Sequence, residues 1–474
     1  MRNSSRRTFL KGTAGVIGGS VFATGSAVAT GDEGTERFLI DLQEVDRSDV
    51  PDSVDIIHDI GEIDLLAASG DPDEVPGVAS TTPDIAVYQD DTGPAVEHSG
   101  PNGKGNSASH NHDGPATNTE LQWDKRVQEV DNLTDKPGGG KTVHDVTEGA
   151  GTRIAIVDSG VYDGHPDLAD VVNPELSQNF TTDPYDFRPN GAGDHGTHVA
   201  GTVAATNSND GPDGGVLGSA PETELVAYRV FSGVEAASGD VLGALVEAAK
   251  DGCDAANISL GYPPLPAENP AVIEIKEAYE RTAAYAREQG MLIVNSAGND
   301  SQDMDEDGIL SLPTEAEGIF GVSATGPIGF GWGGKHSDNE EKWLTGNRLE
   351  EPTTQPAFYT NYGSAVDVSA GGGNADLNGP EEYYRDLVLS TVVSDDGTDD
   401  PTSGYAWKAG TSMAAPQVTG AVALVRSLNP DASVEEVESL IQETASMPDE
   451  GETYHGAGHL DLQALVDAAS GKGK

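Results

Sequence analysis

Gly410-Thr411-Ser412-Met413-Ala414-Ala415-Pro416 is the stretch on which the fold turns, because the apolar run after it, Val418-Thr419-Gly420-Ala421-Val422-Ala423-Leu424-Val425, has helical length and composition. Ser412 is therefore expected at or just inside the N-terminus of a buried helix, near unpaired backbone N–H groups and the positive end of the helix dipole. A lone serine at that place reads as a helix cap. Two upstream stretches change this reading. Ile154-Ala155-Ile156-Val157-Asp158-Ser159-Gly160 reads as a buried parallel strand with an acid at its C-terminal end and a glycine turn beyond it. Chemistry in open α/β sheets gathers at that edge. Asp194-His195-Gly196-Thr197-His198-Val199-Ala200-Gly201-Thr202 sets a histidine among small residues that let a helix pack closely. An acid, a histidine and a serine thus follow one another as Asp158, His195 and Ser412, one of the unrelated chain orders in which a serine nucleophile, its base and an orienting acid are assembled.

With these three motifs present in order, the sequence resembles the subtilisin-like serine proteases over roughly 121 to 469, and in its acidic, signal-bearing character it is similar to the halolysins. The resemblance implies a three-layer α/β fold with a mostly parallel central sheet, helices on both faces and a small α+β propeptide in front. It also implies roles: Ser412 as nucleophile, His195 as base, Asp158 as its orienting acid. Asn299, in Asn295-Ser296-Ala297-Gly298-Asn299-Asp300, matches the side-chain donor to the oxyanion, although an Asn after Gly is by itself a turn residue. Ser259-Leu260-Gly261 matches one side of a cleft that binds polypeptide by strand addition; Ser238-Gly239-Asp240 matches the other, and Asp300 the rim of the first pocket. His198 forms a His-x-x-His spacing with His195, but further zinc ligands are missing nearby and the resemblance leaves His198 structural.

No cofactor is expected for catalysis, but two segments suggest structural calcium. Asp167, in His165-Pro166-Asp167-Leu168, matches a ligand of the family, with Asn207, Asn209 and Asp213 in the partner loop. Asp303-Met304-Asp305-Glu306-Asp307-Gly308 has the Asp-x-Asp-x-Asp-Gly spacing of a calcium loop, with Thr314 rather than glutamate at its twelfth position.

The chain has 474 residues, with 26 Lys and Arg against 80 Asp and Glu, for a formal charge of −54. Such a balance excludes nucleic acid and anionic membrane as partners. The acids are spread along the folded parts, so at low ionic strength the compact state repels itself. Molar salt shortens the Debye length to about 3 Å and removes most of that repulsion, which predicts a halophilic protein. Cys253 is the single cysteine, so no intramolecular disulfide can form, and it reads as a small core residue.

Taken in order, residues 1–29 read as an export signal: Ser5-Arg6-Arg7-Thr8-Phe9-Leu10-Lys11 fits the twin-arginine pattern, and Ala27-Val28-Ala29 offers a cleavage site. The intervening run is too short and too glycine-rich to span a membrane, and no cysteine follows for a lipid anchor. Residues 30–97 form a separate small unit, by position the propeptide that assists folding and inhibits until removed; a permanent N-terminal domain is the alternative. Residues 98–120, rich in Gly, Asn, Ser and His, read as a linker and maturation site, and 121–474 as the catalytic domain. Within it, strands are expected at 225–230, 255–260, 291–296, 319–323 and 365–368, with helices at 241–250 and 271–289. The expectation is a secreted, monomeric, self-processing endopeptidase. A catalytically silent binding protein on the same fold would not need Asp158, His195, Ser412 and Asn299 together. An α/β-hydrolase esterase would need Gly-x-Ser-x-Gly and the order Ser, Asp, His, and has neither here.

Overall fold

The computed structural model describes residues 36–77, 80–89, 96–98, 117–131, 141–211, 214–329, 353–376, 381–394 and 401–471. The signal expected at 1–29, most of the 98–120 linker and Asp213 lie outside them. Strands β1 (Arg37–Asp41), β2 (Asp55–Ile60), β3 (Leu65–Ser69) and β4 (Thr81–Pro83) form an antiparallel sheet in the order β2-β3-β1-β4. Residues alternate between its faces, as the period of two requires. Phe38, Ile40, Leu66 and Ala68 close a small core with Val45, Val54 and Val75, while Leu39, Leu65 and Ala67 face the rest of the molecule. Two more strands follow, β5 (Ala86–Gln89) and β6 (Val96–His98).

The central sheet is built from β7 (Arg153–Asp158), β8 (Gln178–Asn179), β9 (Glu224–Arg229), β12 (Ala255–Ile258), β14 (Leu292–Ser296), β15 (Ile319–Thr325) and β16 (Val368–Gly371). Between these in the chain lie the short strands β10 (Phe231–Ser232), β11 (Glu235–Ala237) and β13 (Leu260–Gly261). The central sheet is parallel throughout, in the order β16-β15-β14-β12-β7-β9-β8. Both faces of its inner strands are buried, so these are apolar runs without alternation. In β7, Ile154 and Ile156 face one core, Ala155 and Val157 the other. Helices α1 (His195–Ala204), α4 (Thr411–Leu428), α5 (Val434–Thr444) and α6 (Leu462–Ala469) cover the first face, and α2 (Ser238–Lys250) and α3 (Pro270–Glu288) the second. A hairpin of β17 (Val388–Ser394) and β18 (Thr402–Lys408) precedes α4 and carries β6 on its outer edge.

The α/β architecture agrees with the sequence reading, with two corrections. The strand expected at 365–368 lies at Val368–Gly371, where Val368, Ser369, Ala370 and Gly371 pair with Val322, Ser323, Ala324 and Thr325. The N-terminal unit is not α+β, since among its described residues there are short 3-10 turns and no α-helix. Helices of the catalytic domain supply the missing layer: Leu39, Ile60, Ile63, Leu65 and Ala67 share one core with Val241, Leu242, Ile275 and Tyr279 of α2 and α3.

Candidate active site

Three chain segments converge at the C-terminal edge of the central sheet. Asp158 ends β7 fully buried, where it accepts the N–H of Ser159 at 2.6 Å and faces His195 Nδ1 at 2.9 and 3.0 Å. A carboxylate can only accept, so Nδ1 carries the proton and Nε2 is the basic nitrogen. The approach of α1 to β7 depends on glycine. A Cβ on Gly196 would lie 2.4 Å from the Gly160 carbonyl and 3.0 Å from Asp158 Cβ. Gly160 itself has φ +98° and leaves no room for a side chain against Phe187. Ser159 adds a further tie, its hydroxyl accepting the Gly196 N–H at 2.9 Å.

Ser412 lies in the first turn of α4, fully buried. Pro416 sits inside the same helix. Proline lacks the N–H that would bond the carbonyl four residues back, which is that of Ser412. The Ser259 hydroxyl donates to this carbonyl instead, at 3.1 Å, and in turn accepts from Asn257 Nδ2 at 2.9 Å. Asn299 Oδ1 accepts the Thr411 N–H at 2.9 Å and the Thr411 hydroxyl at 3.0 Å. These two bonds fix the amide's orientation and make Nδ2 its donating end.

The other residues singled out in the sequence divide. Leu260 and Gly261 form β13, one of two strand edges that flank β5. The opposite edge is β11, and Ser238, Gly239 and Asp240 instead open α2, three residues further on. Between the two edges lies β5, antiparallel to both: Ala86, Val87 and Tyr88 pair with Ala237, Ala236 and Glu235, while Tyr88 and Gln89 pair with Gly261 and Leu260. Gln89 Nε2 also reaches the Ala192 carbonyl, three residues before His195, at 3.3 Å. Ser238 donates to the Ile85 carbonyl at 2.7 Å, Gly239 N–H to Asp84 at 3.0 Å, and Asp240 pairs with Arg37 and with His58 Nε2 at 2.9 Å. Asp300 is exposed beside Asn299, its N–H held by Asn361 at 2.9 Å.

The expected calcium ligands do not fit a cation. Asp167 is fully buried and its carboxylate already accepts three donors, the N–H groups of Asn209 and Val216 at 2.8 and 2.9 Å and the Tyr405 hydroxyl at 2.8 Å. Asn207 Oδ1 accepts the Gly215 N–H at 3.1 Å and Asn209 Oδ1 the Gly211 N–H at 2.9 Å. Donor hydrogens thus stand where a cation would have to approach. In the second segment Asp303 caps the Asp305 N–H at 3.0 Å and Asp305 accepts from Ser364, so these acids close turns rather than converge. Among the described residues no three His, Cys, Asp or Glu are grouped to hold a metal. His198 is structural: Nε2 faces the Ala406 and Val388 carbonyls at 3.1 and 3.2 Å, and burial drives its pKa down to about 3. The Cys253 thiol, buried, is pushed up to about 12 and is inert.

Sequence reasoning missed two lysines. Lys125, fully buried, donates to the Thr202 carbonyl and the Ser219 hydroxyl at 3.0 Å each and to Gln417, tying the domain's first turn to α1 and α4. Lys408 reaches Asp194 at 2.8 Å. A cation four residues before Ser412, in so acidic a chain, was the available signal.

A buried acid–histidine pair and a serine in a helix's first turn, beside an anchored amide and two strand edges that already hold an extended segment of the chain, define a serine hydrolase site built for extended polypeptide. Residues 149–467 match the Subtilase family, and the chain belongs to it. It is 29% identical over 320 residues to Subtilisin Savinase of Lederbergia lenta, covering 67% of this chain and 91% of that protein. It is 30% identical over 334 residues to the major intracellular serine protease of Bacillus subtilis (strain 168), covering 68% and 84%. Among solved structures, fervidolysin from Fervidobacterium pennivorans matches 94% of this chain and 63% of its own at a TM-score of 0.63 and 21% identity, a likeness of fold. A protease from Pseudoalteromonas arctica matches 75% and 99% at a TM-score of 0.56 and 26% identity. The protein is a subtilisin-like serine peptidase that hydrolyses peptide bonds.

Proposed function

We propose that Asp158, His195, Ser412 and Asn299 carry this hydrolysis, in an endopeptidase made as a preproenzyme and exported by the twin-arginine route into a saline exterior. The observation that supports the assignment best is the double approach of Asp158 to His195 Nδ1 at the sheet edge that also brings in Ser412. His195 takes the Ser412 proton as Oγ attacks the substrate carbonyl. The Ser412 N–H and Asn299 Nδ2 hold the oxyanion. His195 then protonates the leaving amine, and water repeats the sequence on the acyl-enzyme. Asp158 keeps the tautomer and stabilises the imidazolium.

Residues 30–97 act as inhibitor as well as folding aid. The support is β5, which fills the gap between β11 and β13 and so occupies the edges a substrate strand would need. Composition favours a maturation cut within 98–120; strand pairing favours an earlier first cut. Gln89 stands opposite Leu260 and reaches Ala192 in the segment of His195, while Val96 already pairs with Trp407, in the strand that leads to Ser412. The first cut then falls after Gln89 and before Val96, with the linker trimmed later. Charge supports the halolysin-like, salt-dependent character, and no described helix is long and apolar enough to cross a membrane. We assign no calcium to the Asp167 loop or to the 303–307 segment.

The test follows chain mass over time for wild type and Ser412→Ala, both produced in molar salt. Wild type sheds about its first ninety residues and digests denatured protein, while Ser412→Ala does neither. If both chains shorten alike, self-processing is wrong and another protease matures the enzyme.

A further inference from the structure

We propose that Asp194 and Lys408 form a positioning pair of the catalytic centre, bracing the segment of His195 against the strand that leads into Ser412 and setting the basicity of His195. The proposal rests on the triad assignment above. Asp194 is the N-cap of α1, the helix that His195 opens. Aspartate at that position ordinarily turns its carboxylate back to its own helix, yet here it makes no such bond. It reaches across to Lys408 instead, where Oδ1 accepts from Nζ at 2.8 Å. Lys408 is the last residue of β18, and Ala409-Gly410-Thr411 are all that separate it from the nucleophile.

Location gives the pair its weight. An ion pair in full solvent contributes little. This one is largely enclosed, with side-chain exposures of 5% for Lys408 and 29% for Asp194. Salt screens enclosed pairs far less than surface ones, so it persists in a medium that cancels most of this chain's charge interactions. Breaking it leaves one charge unpaired beside the base.

Around His195, Asp158 comes from β7, Asp194 and His198 from its own segment and Ser412 from α4, while Lys408, from β18, reaches Asp194. His198, held neutral by burial, carries no charge in the working range. Burial pushes the Asp194 carboxyl up, but the Lys408 ammonium bonded to it holds it below the ordinary carboxylate value. Asp194 and Lys408 thus set opposed charges at the start of the helix that carries the base, and removing one or the other is expected to move its titration in opposite directions.

The experiment measures kcat/KM against pH in molar salt for wild type, Lys408→Met, Asp194→Asn, the double variant and Lys408→Arg, each produced as the full chain and freed of its N-terminal unit, with thermal unfolding recorded for each. Lys408→Met leaves Asp194 unopposed and is expected to raise the acid limb by about half a pH unit or more; Asp194→Asn is expected to lower it by a similar amount. The double variant returns towards the wild-type limb while kcat stays reduced, and Lys408→Arg restores both. Limbs that stay at the wild-type value, or that move the same way in both single variants, reduce the pair to a structural tie and overturn the proposal. If Lys408→Met does not fold, Asp194→Asn alone decides, since an unmoved or raised limb overturns it. Failure of the triad assignment shows separately, as wild-type turnover in Ser412→Ala.

Discussion

At the scale of single residues, the nucleophile is positioned by what its helix lacks. Pro416 leaves the Ser412 carbonyl without its helical partner, and Ser259 supplies one from the cleft wall. Ser259→Ala should therefore lower kcat by about tenfold through misplacement of Ser412, with KM little changed; steady-state kinetics on a peptide substrate that left kcat intact would rule this out. Asn299→Ala should cost about 10²–10³ in kcat, again with KM little changed. The residues of the triad were legible because each sits in a compact local pattern: an acid ending an apolar strand, a histidine opening a run of small residues, a serine before an apolar helix. The Ser259–Ser412 and Asp194–Lys408 contacts were not legible, because both join segments more than a hundred residues apart and depend on how closely the chain returns.

At the scale of elements, the N-terminal unit borrows its helical layer from α2 and α3, and a buried charge cluster fixes the docking. Arg37 pairs with both Asp84 and Asp240, all three nearly inaccessible. Removing one partner from such a cluster typically costs about 3–5 kcal/mol. Arg37→Ala should accordingly release the unit sooner, seen as a shorter lag before proteolysis begins; an unchanged lag would show that apolar contact alone holds it. The sequence suggested strands here but not their partner, since an unpaired sheet face does not say which helices cover it. The Asp167 loop shows the opposite limit. The resemblance made Asp167 a calcium ligand, yet Tyr405, more than two hundred residues away, donates to its carboxylate. A chelator should leave the unfolding temperature unchanged, and a fall of several degrees restored by added calcium would contradict the loop geometry described here.

At the scale of the whole molecule, charge and buried histidines set the working conditions. With a net charge of −54, stability should rise steeply with salt and level off near molar concentrations, as unfolding curves across a salt series would show. Burial lowers His198 to about 3 and His459 to about 4. Above about pH 6.5 both are neutral folded or unfolded; below it the unfolded chain takes up protons that the folded chain refuses, and stability falls until the folded values are reached. Asp367, raised by burial to about 6, works the other way and offsets part of the loss between pH 6 and 4. Two strongly shifted histidines against one carboxyl leave a net decline, so the unfolding temperature in constant molar salt should drop as pH falls from 7 to 4. The central claim, that the Asp158–His195–Ser412 constellation is a working peptidase centre, is tested most directly by labelling with a serine-reactive phosphonate, read by mass spectrometry. The enzyme freed of its N-terminal unit should take up one label, on Ser412, and lose its activity in proportion, while His195→Ala takes up almost none. A folded, processed enzyme that digests protein yet carries no label on Ser412 would contradict the account.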